Sequence, residues 1–344
     1  LTWFGEPAFD RTRSKICRTA TNFFMKTKKS ENHLWEYLNN ERLMLVISIT
    51  VVLIANIHVL SSFFWRDDFL HFYQIANWNP LEFIFFPYGG HVFIVKHTIF
   101  YSMFKLFGVN SVVYFATVLF THLGCAYLLF KIIHLLTGKP SLAAAGTMIW
   151  GICPVNYGTM NIYCTYGQVL VGFIFLLFLY DLLRAEKGIL LFSLGIAVRW
   201  SIYLFLMATS FGSGLAIACL SPIMIIIILW KTDKKWEMAA SMLPVITVIL
   251  VLFIFKDSIY HYFSGEFYHS TPFTPGVALR HSEVILEMFF RMCAFGIYTI
   301  AAFPIFIMTY TPSWSPPYPM LAFFTSLVVA ILFVVAFFHQ RENF

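Results

Sequence analysis

Apolar residues run along this chain in blocks long enough to cross a bilayer, separated by short polar turns. The clearest block is 43–64, LMLVISITVVLIANIHVLSSFF, long enough for a hydrocarbon core of about 30 Å. Further runs follow at 111–136, 141–153, 166–183, 188–209, 213–230, 238–255, 284–309 and 319–338. The pattern predicts an all-α fold, a polytopic integral membrane bundle of about nine transmembrane helices. The short run at 141–153 points on toward the turn after Pro154.

Two stretches break the rhythm, 65–110 and 257–283, both rich in aromatic residues and histidine. In the first, Val92, Val95, Ile99, Met103 and Leu106 recur at helical spacing, with Lys96 and Lys105 among them. That predicts a helix lying in the membrane interface and not a further span. The chain thus divides into a basic segment 1–42, a membrane domain 43–338 with loops 65–110 and 257–283, and a tail 339–344.

Composition narrows the class. Of 344 residues, 59% are hydrophobic and 12% charged, where soluble domains carry about 25% charge. A soluble enzyme, a disordered chain and a disulfide-stapled module are excluded. The six cysteines show no CxxC spacing, so no metal framework follows from them. The net charge of +6 does not indicate nucleic acid, because Arg11, Arg13, Lys15, Arg18, Lys26, Lys28 and Lys29 cluster just before the first run. Such a cluster marks the cytoplasmic side. With the N-terminus inside, the Lys/Arg-bearing turns 131–139, 184–187 and 231–235 fall inside, and 154–165 and 210–213, which carry no Lys or Arg, fall outside. The alternation holds through about residue 256. Loops 65–110 and 257–283 then lie outside.

Few charges remain for chemistry. Asp67 and Asp68 directly follow the first run. Carboxylates at a membrane boundary are costly unless solvated, paired or functional, and one beside apolar walls can serve as a general base. A solvated helix end beside Arg66 is the plainer reading. His71, His91 and His97 share the loop, with Gly89–Gly90 before His91. A divalent metal held by these histidines and the two aspartates is conceivable, but no ligand spacing supports it. Arg199 stands midway along its run, where it should face the bundle interior, an anionic ligand or a carboxylate. Asp181, near the inner end of the preceding run, is expected at another depth. His122 reads as a hydrogen-bonded packing residue, and Glu287 and Arg291 as a local pair. Arg280 and His281, with His261 and His269, could bind an anionic lipid headgroup or simply be solvated.

The residues from Trp65 to Arg184 resemble the GT-C superfamily of membrane glycosyltransferases, in particular the polyprenyl-phosphate-sugar enzymes of bacteria and the multi-span O-mannosyltransferases. The resemblance rests on the acidic pair Asp67–Asp68, on Gly90–His91 opening an interfacial helix, on Leu106–Phe107–Gly108–Val109–Asn110, on the second run carrying His122, and on the Pro154 turn. It covers about a third of the chain. It implies an inverting transfer outside the bacterial cytoplasmic membrane, from a lipid-linked sugar phosphate as donor, with Asp67 as leading base and Asp68 as second candidate. It makes His91 a loop-positioning or phosphate-proximal group, and Arg199, Arg280 and His281 are the further candidates for holding that phosphate. Membrane lipids and other membrane subunits are the expected partners, with no nucleic acid.

Two departures keep another reading open. Relatives often carry an acidic residue after the Pro of the third-span turn, where this chain has Pro154–Val155–Asn156–Tyr157–Gly158. They also often carry a Lys–Glu pair before the sixth span, where Ser210–Phe211–Gly212–Ser213 stands here. A catalytically silent relative acting as a scaffold in a larger complex fits those gaps. A transporter, suggested by Arg199 and Asp181, ranks last, because no repeat symmetry is visible. Members of the family are commonly longer than this chain.

Overall fold

The computed structural model describes residues 38–265 apart from Gly90 and Pro154. The expected spans 284–309 and 319–338, the basic N-terminal segment, and Arg280, His281, Glu287 and Arg291 lie outside the described residues.

Within them the chain is all-α apart from one small hairpin. Helix α1 covers Glu41–Asn56 and passes into a 3-10 turn, Ile57–Ser61. The loop to the next long helix holds α2 (Asp67–Asn77), α3 (Pro80–Phe85), strands β1 (Pro87–Tyr88) and β2 (His91–Val92), and α4 (Ile94–Phe107). Then come α5 (Ser111–Thr137), α6 (Pro140–Gly151), α7 (Val155–Met160), a 3-10 turn at Tyr163–Thr165 and α8 (Tyr166–Glu186). The described chain ends with α9 (Leu194–Ala208), α10 (Gly212–Ile228), α11 (Lys235–Ala240), α12 (Leu243–Ile254) and α13 (Lys256–Ser264). Local chemistry sets several boundaries. The Asn40 side chain caps α1 by accepting from Leu43 N–H at 3.1 Å, Gly138 ends α5 in the left-handed region (φ 65°), and Pro140 opens α6 where no N–H is needed.

Among the described residues four segments are long and apolar enough to cross a membrane: Glu41–Ser61, Ser111–Thr137, Tyr163–Glu186 and Lys235–Ile254. Three of the expected spans come out shorter. The run 141–153 forms the 12-residue α6, about 18 Å at 1.5 Å per residue, and α9 and α10 have 15 and 17 residues. The reason is visible at the end of α6. Its last carbonyl, that of Gly151, accepts from Asn56 Nδ2 at 2.9 Å and from His122 Nε2 at 3.1 Å. Side chains of α1 and α5 thereby satisfy an orphan group that another helical turn would have satisfied. Gly151 also lies against Val52, where a Cβ would collide.

The connections sort to two ends of the bundle. At one end the Ser62 hydroxyl bonds Asn161, Val95 N–H donates to the Thr209 carbonyl at 3.1 Å, and Phe93 stacks on Phe211 at 5.5 Å. The Phe263 ring of α13 stacks on Phe85 of α3 at 4.8 Å. These are the turns expected outside. At the other end Glu41 takes Lys131 at 2.6 Å and His134 at 3.5 Å, and Lys187 Nζ donates to the Leu135 carbonyl at 2.5 Å. Those are the turns expected inside. One core joins α8, α9, α10 and α12 around Trp200 and Phe178. A second, largely aromatic core joins α2, α3, α4, α5 and the start of α8 around Phe72, Phe100, Tyr114 and Tyr163.

The inward face of the loop helix α4 is wider than its apolar spacing suggests, since Ile99 and Met103 pack against the aromatic core together with residues that the spacing leaves out. Its buried residues are Lys96, His97 and Phe100, with Phe93 just before it, whereas Leu106 is 73% exposed. The spacing 93–96–97–100 is as helical as 92–95–99–103–106. It escapes hydropathy because two of its members are polar.

Candidate functional site

The acidic pair begins α2, and the backbone reaches it through a strained residue. Arg66 has φ 31°, the single positive value on a non-glycine residue among the described residues. The clash of the Cβ with the backbone makes that region costly, and such residues persist where surroundings hold them. The turn is locked reciprocally: Asp68 N–H donates to the Trp65 carbonyl at 2.8 Å, and Asp68 Oδ2 accepts from Trp65 N–H at 2.9 Å. Both carboxylates sit in the first turn of α2, where the helix dipole favours negative charge.

The two aspartates are not equivalent. Asp68 is fully buried and Asp67 half-buried. Burial raises the Asp68 carboxyl above the usual carboxylate range, opposed by the peptide N–H groups of Trp65, Cys164 and Tyr163 and by the charge of Lys96.

Lys96, which the sequence reading counts among the residues of an interfacial helix, is buried in the structure. It is 2% exposed. Its Nζ donates to the Cys164 carbonyl at 3.3 Å and to His71 Nε2 at 3.4 Å, and it lies 4.4 Å from the centre of the Phe93 ring, a cation–π distance. Burial pulls the ammonium down to about 8, opposed by Cys164, Asp68 and Asp67. His71 Nδ1 contacts Gln74 Oε1 at 3.0 Å, so the arrangement is satisfied with the proton on Nδ1 and a lone pair on Nε2 facing Lys96. A chain therefore runs from Gln74 through His71 to Lys96 and on to the segment that carries Cys164. His97, also buried, stacks on Phe83 at 4.7 Å and meets His71 edge-on at 5.2 Å.

These histidines make a pH prediction. His71 is pushed down to about 4, by burial first and then by Lys96, against Gln74, and His97 is lowered well below its ordinary range by burial and the same neighbours. In the unfolded chain both take a proton near 6.5. Between about pH 6.5 and 4 the unfolded state therefore binds more protons, so stability is present above that window and is lost as pH falls through it. The thermal midpoint in detergent should drop on acidification below about pH 6.5, and a midpoint that stays level to about pH 4.5 would count against a neutral buried pair.

The remaining candidates are placed as follows. His91, on β2, lies over the start of α10: a Cβ on Gly212 would stand 2.8 Å from His91 Cε1. Burial lowers its imidazole, with a further push from Lys256 at the start of α13. Phe93 separates it from Lys96 and His97. Arg199 is not brought to this group. The expectation that it and Asp181 differ in depth is wrong, since Arg199 Nη2 lies 2.8 Å from Asp181 Oδ2. Both groups bridge α8 and α9, and the guanidinium is committed to that carboxylate. Among the described residues no group of three or more His, Cys, Asp or Glu is placed to hold a metal ion.

The sequence reading missed Lys96 as a buried charge near the acidic pair and Gln74 as the partner of His71, and gave His71 and His97 no fixed role. The available signal was the helical spacing of Phe93, Lys96, His97 and Phe100 beside Asp68, His71, Phe72 and Ile75 on α2. Two amphipathic faces whose polar members are of complementary type were there to be matched.

The described chain is an all-α protein with helices of membrane-spanning length and character, and with an acidic and basic cluster at one end of its bundle. No protein-family model matches it, and no curated protein does.

Proposed function

We propose that this protein is a membrane glycosyltransferase that moves a sugar from a polyprenyl-phosphate donor to an acceptor on the extracytoplasmic face. The observation that carries the reading is the division of labour between adjacent carboxylates. Asp67 is open enough to meet a substrate, while Asp68 anchors the strained turn that presents it. In the reaction Asp67 takes the proton of the acceptor hydroxyl. The acceptor oxygen forms the new bond to the anomeric carbon from the side opposite the phosphate, and the bond from that carbon to the phosphate oxygen breaks. Its electron pair leaves with polyprenyl phosphate, so the configuration inverts. A positioned base of this kind contributes about 10²–10⁴ in rate.

The donor lipid would reach this end laterally through the bilayer, and the N-terminus would be cytoplasmic, in keeping with the distribution of Lys and Arg. Lys256, brought near His91 from another connection, supplies positive charge beside the start of α10 for the departing phosphate, and the His91 ring, held toward its neutral form, offers a hydrogen-bond donor. The test is turnover by the protein reconstituted in liposomes, read as release of polyprenyl phosphate from a panel of polyprenyl-phosphate hexoses.

The complete enclosure of Asp68, with Lys96 and His71 satisfied by internal partners, favours a second reading. In it the cluster is a structural polar core and the protein is a silent subunit of a larger membrane complex. Reconstituted protein without turnover on any donor, and recovered from membranes only with partner subunits, would support the second reading over the first.

A further inference from the structure

A cavity of about 190 Å³ lies where α5, α6, α7 and α8 meet, and neither reading above uses it. It exists because α6 stops at Gly151, leaving the space beyond its last turn to be closed by the short α7. Its polar lining is His122, Asn156, Thr159 and Gln168, with Trp150 and Met160 among its apolar walls. No charged side chain lines it among the described residues.

The hydrogen-bonding capacity of that lining is only half used. His122 Nε2 is committed to the Gly151 carbonyl, which leaves Nδ1 as an acceptor. Asn156 Nδ2 donates to the Trp150 carbonyl at 2.9 Å, which leaves Oδ1 as an acceptor. Gln168 Oε1 takes the Thr159 hydroxyl at 3.4 Å, which leaves its Nε2 donors. Gln168 is exposed in the first turn of α8, beside the 154–165 connection, so its amide is open to a ligand arriving from that end. A second observation is independent of these. Gly172, in the interior of α8 and also on the lining, has nothing within 4 Å of where a Cβ would stand. Glycine is a poor helix former, and helix packing gives no reason for it here. What it preserves is the space.

The geometry points to a binding site for a neutral, polyhydroxylated ring, a single hexose unit. Donors and acceptors of mixed type along the lining match vicinal hydroxyls. Trp150, one face of which is stacked on His122 at 4.8 Å, and Met160 add apolar surface of the kind that meets the C–H face of a pyranose. The volume suits one small ring, since drug-sized pockets begin at about 300 Å³. The absence of charge along the described lining disfavours a phosphate or carboxylate. The site is distinct from Asp67, on the far side of the 154–165 segment, and its test requires no turnover.

The experiment is equilibrium dialysis of the wild-type protein in nanodiscs against radiolabelled methyl glucoside, methyl mannoside and methyl galactoside. At least one should bind saturably, with inorganic phosphate failing to compete. Gln168→Leu should weaken that binding by roughly three- to tenfold, in line with loss of a neutral hydrogen bond. Gly172→Leu, which fills open space and favours the helix, should abolish it while the protein still elutes as a folded species. No saturable binding by any of the three glycosides, or binding unaltered in folded Gly172→Leu, would overturn the inference and leave a cavity holding water only.

Discussion

Asp67→Asn is expected to reduce sugar transfer by at least about 100-fold while the protein still accumulates in membranes, because it removes the acceptor's base and leaves size and packing unchanged. Asp68→Asn should behave differently. Asp68 Oδ2 accepts from Trp65 N–H and its environment already pushes the carboxyl toward the neutral form. An amide can keep that hydrogen bond, so the loss should be smaller and should come with a less stable α2 start. Measuring initial rates in liposomes with matched protein levels distinguishes the two. Equal losses at both positions would mean that the pair acts as one unit. Full activity in Asp67→Asn would remove Asp67 from the chemistry.

The second large effect is on stability. Phe100→Ala should cost roughly 3–5 kcal/mol, the range for truncating a buried phenylalanine without collapse of the site. Phe100 is fully buried. Its ring touches Phe72 at 5.2 Å, Tyr163 at 5.0 Å, His71 at 5.5 Å and Tyr114 at 5.7 Å. It thus ties α4 to α2, α5 and the turn before α8. Leu106→Ala, six residues along the same helix, should change stability by no more than about 0.5 kcal/mol, as exposed positions do. Thermal unfolding of the two variants side by side decides which face of α4 is inward. The reverse ranking would put Leu106 on the inward face and Phe100 outside it.

That comparison also shows what was legible in the sequence. The long runs at 43–64, 111–136 and 166–183 were readable because a span must be apolar over its whole length, whatever it packs against. The sorting of turns between two ends was readable because lysine and arginine mark it. The full inward face of α4 was not readable. Hydropathy scores a residue by type, and Lys96 and His97 are buried only because Cys164, His71, Phe83 and Phe93 surround them in space. The length of α6 was hidden for a similar reason. Run 141–153 is apolar to its end, and the helix stops because Asn56 and His122, from distant parts of the chain, take the Gly151 carbonyl. The Arg199–Asp181 pair was visible as two charges in neighbouring runs, but helix lengths read from hydropathy put them at different depths. With α9 starting only at Leu194, they come level. Asp67 and Asp68 stood out because charge is scarce in this chain, while their difference in exposure depends on the fold of the loop that follows them.

The central claim is that the connections around 65–110, 154–165, 209–213 and 256–265 form one surface on one side of the membrane, with the acidic pair on it. Impermeant maleimide labelling of single-cysteine variants in sealed, oriented cells tests this directly, with the six native cysteines replaced by alanine. Tyr73→Cys and Tyr262→Cys, both at exposed positions of that surface, should react from outside. Lys139→Cys and Leu191→Cys, exposed at the opposite end, should react only after the membrane is opened. Labelling of positions 73 and 139 from the same side would contradict the account.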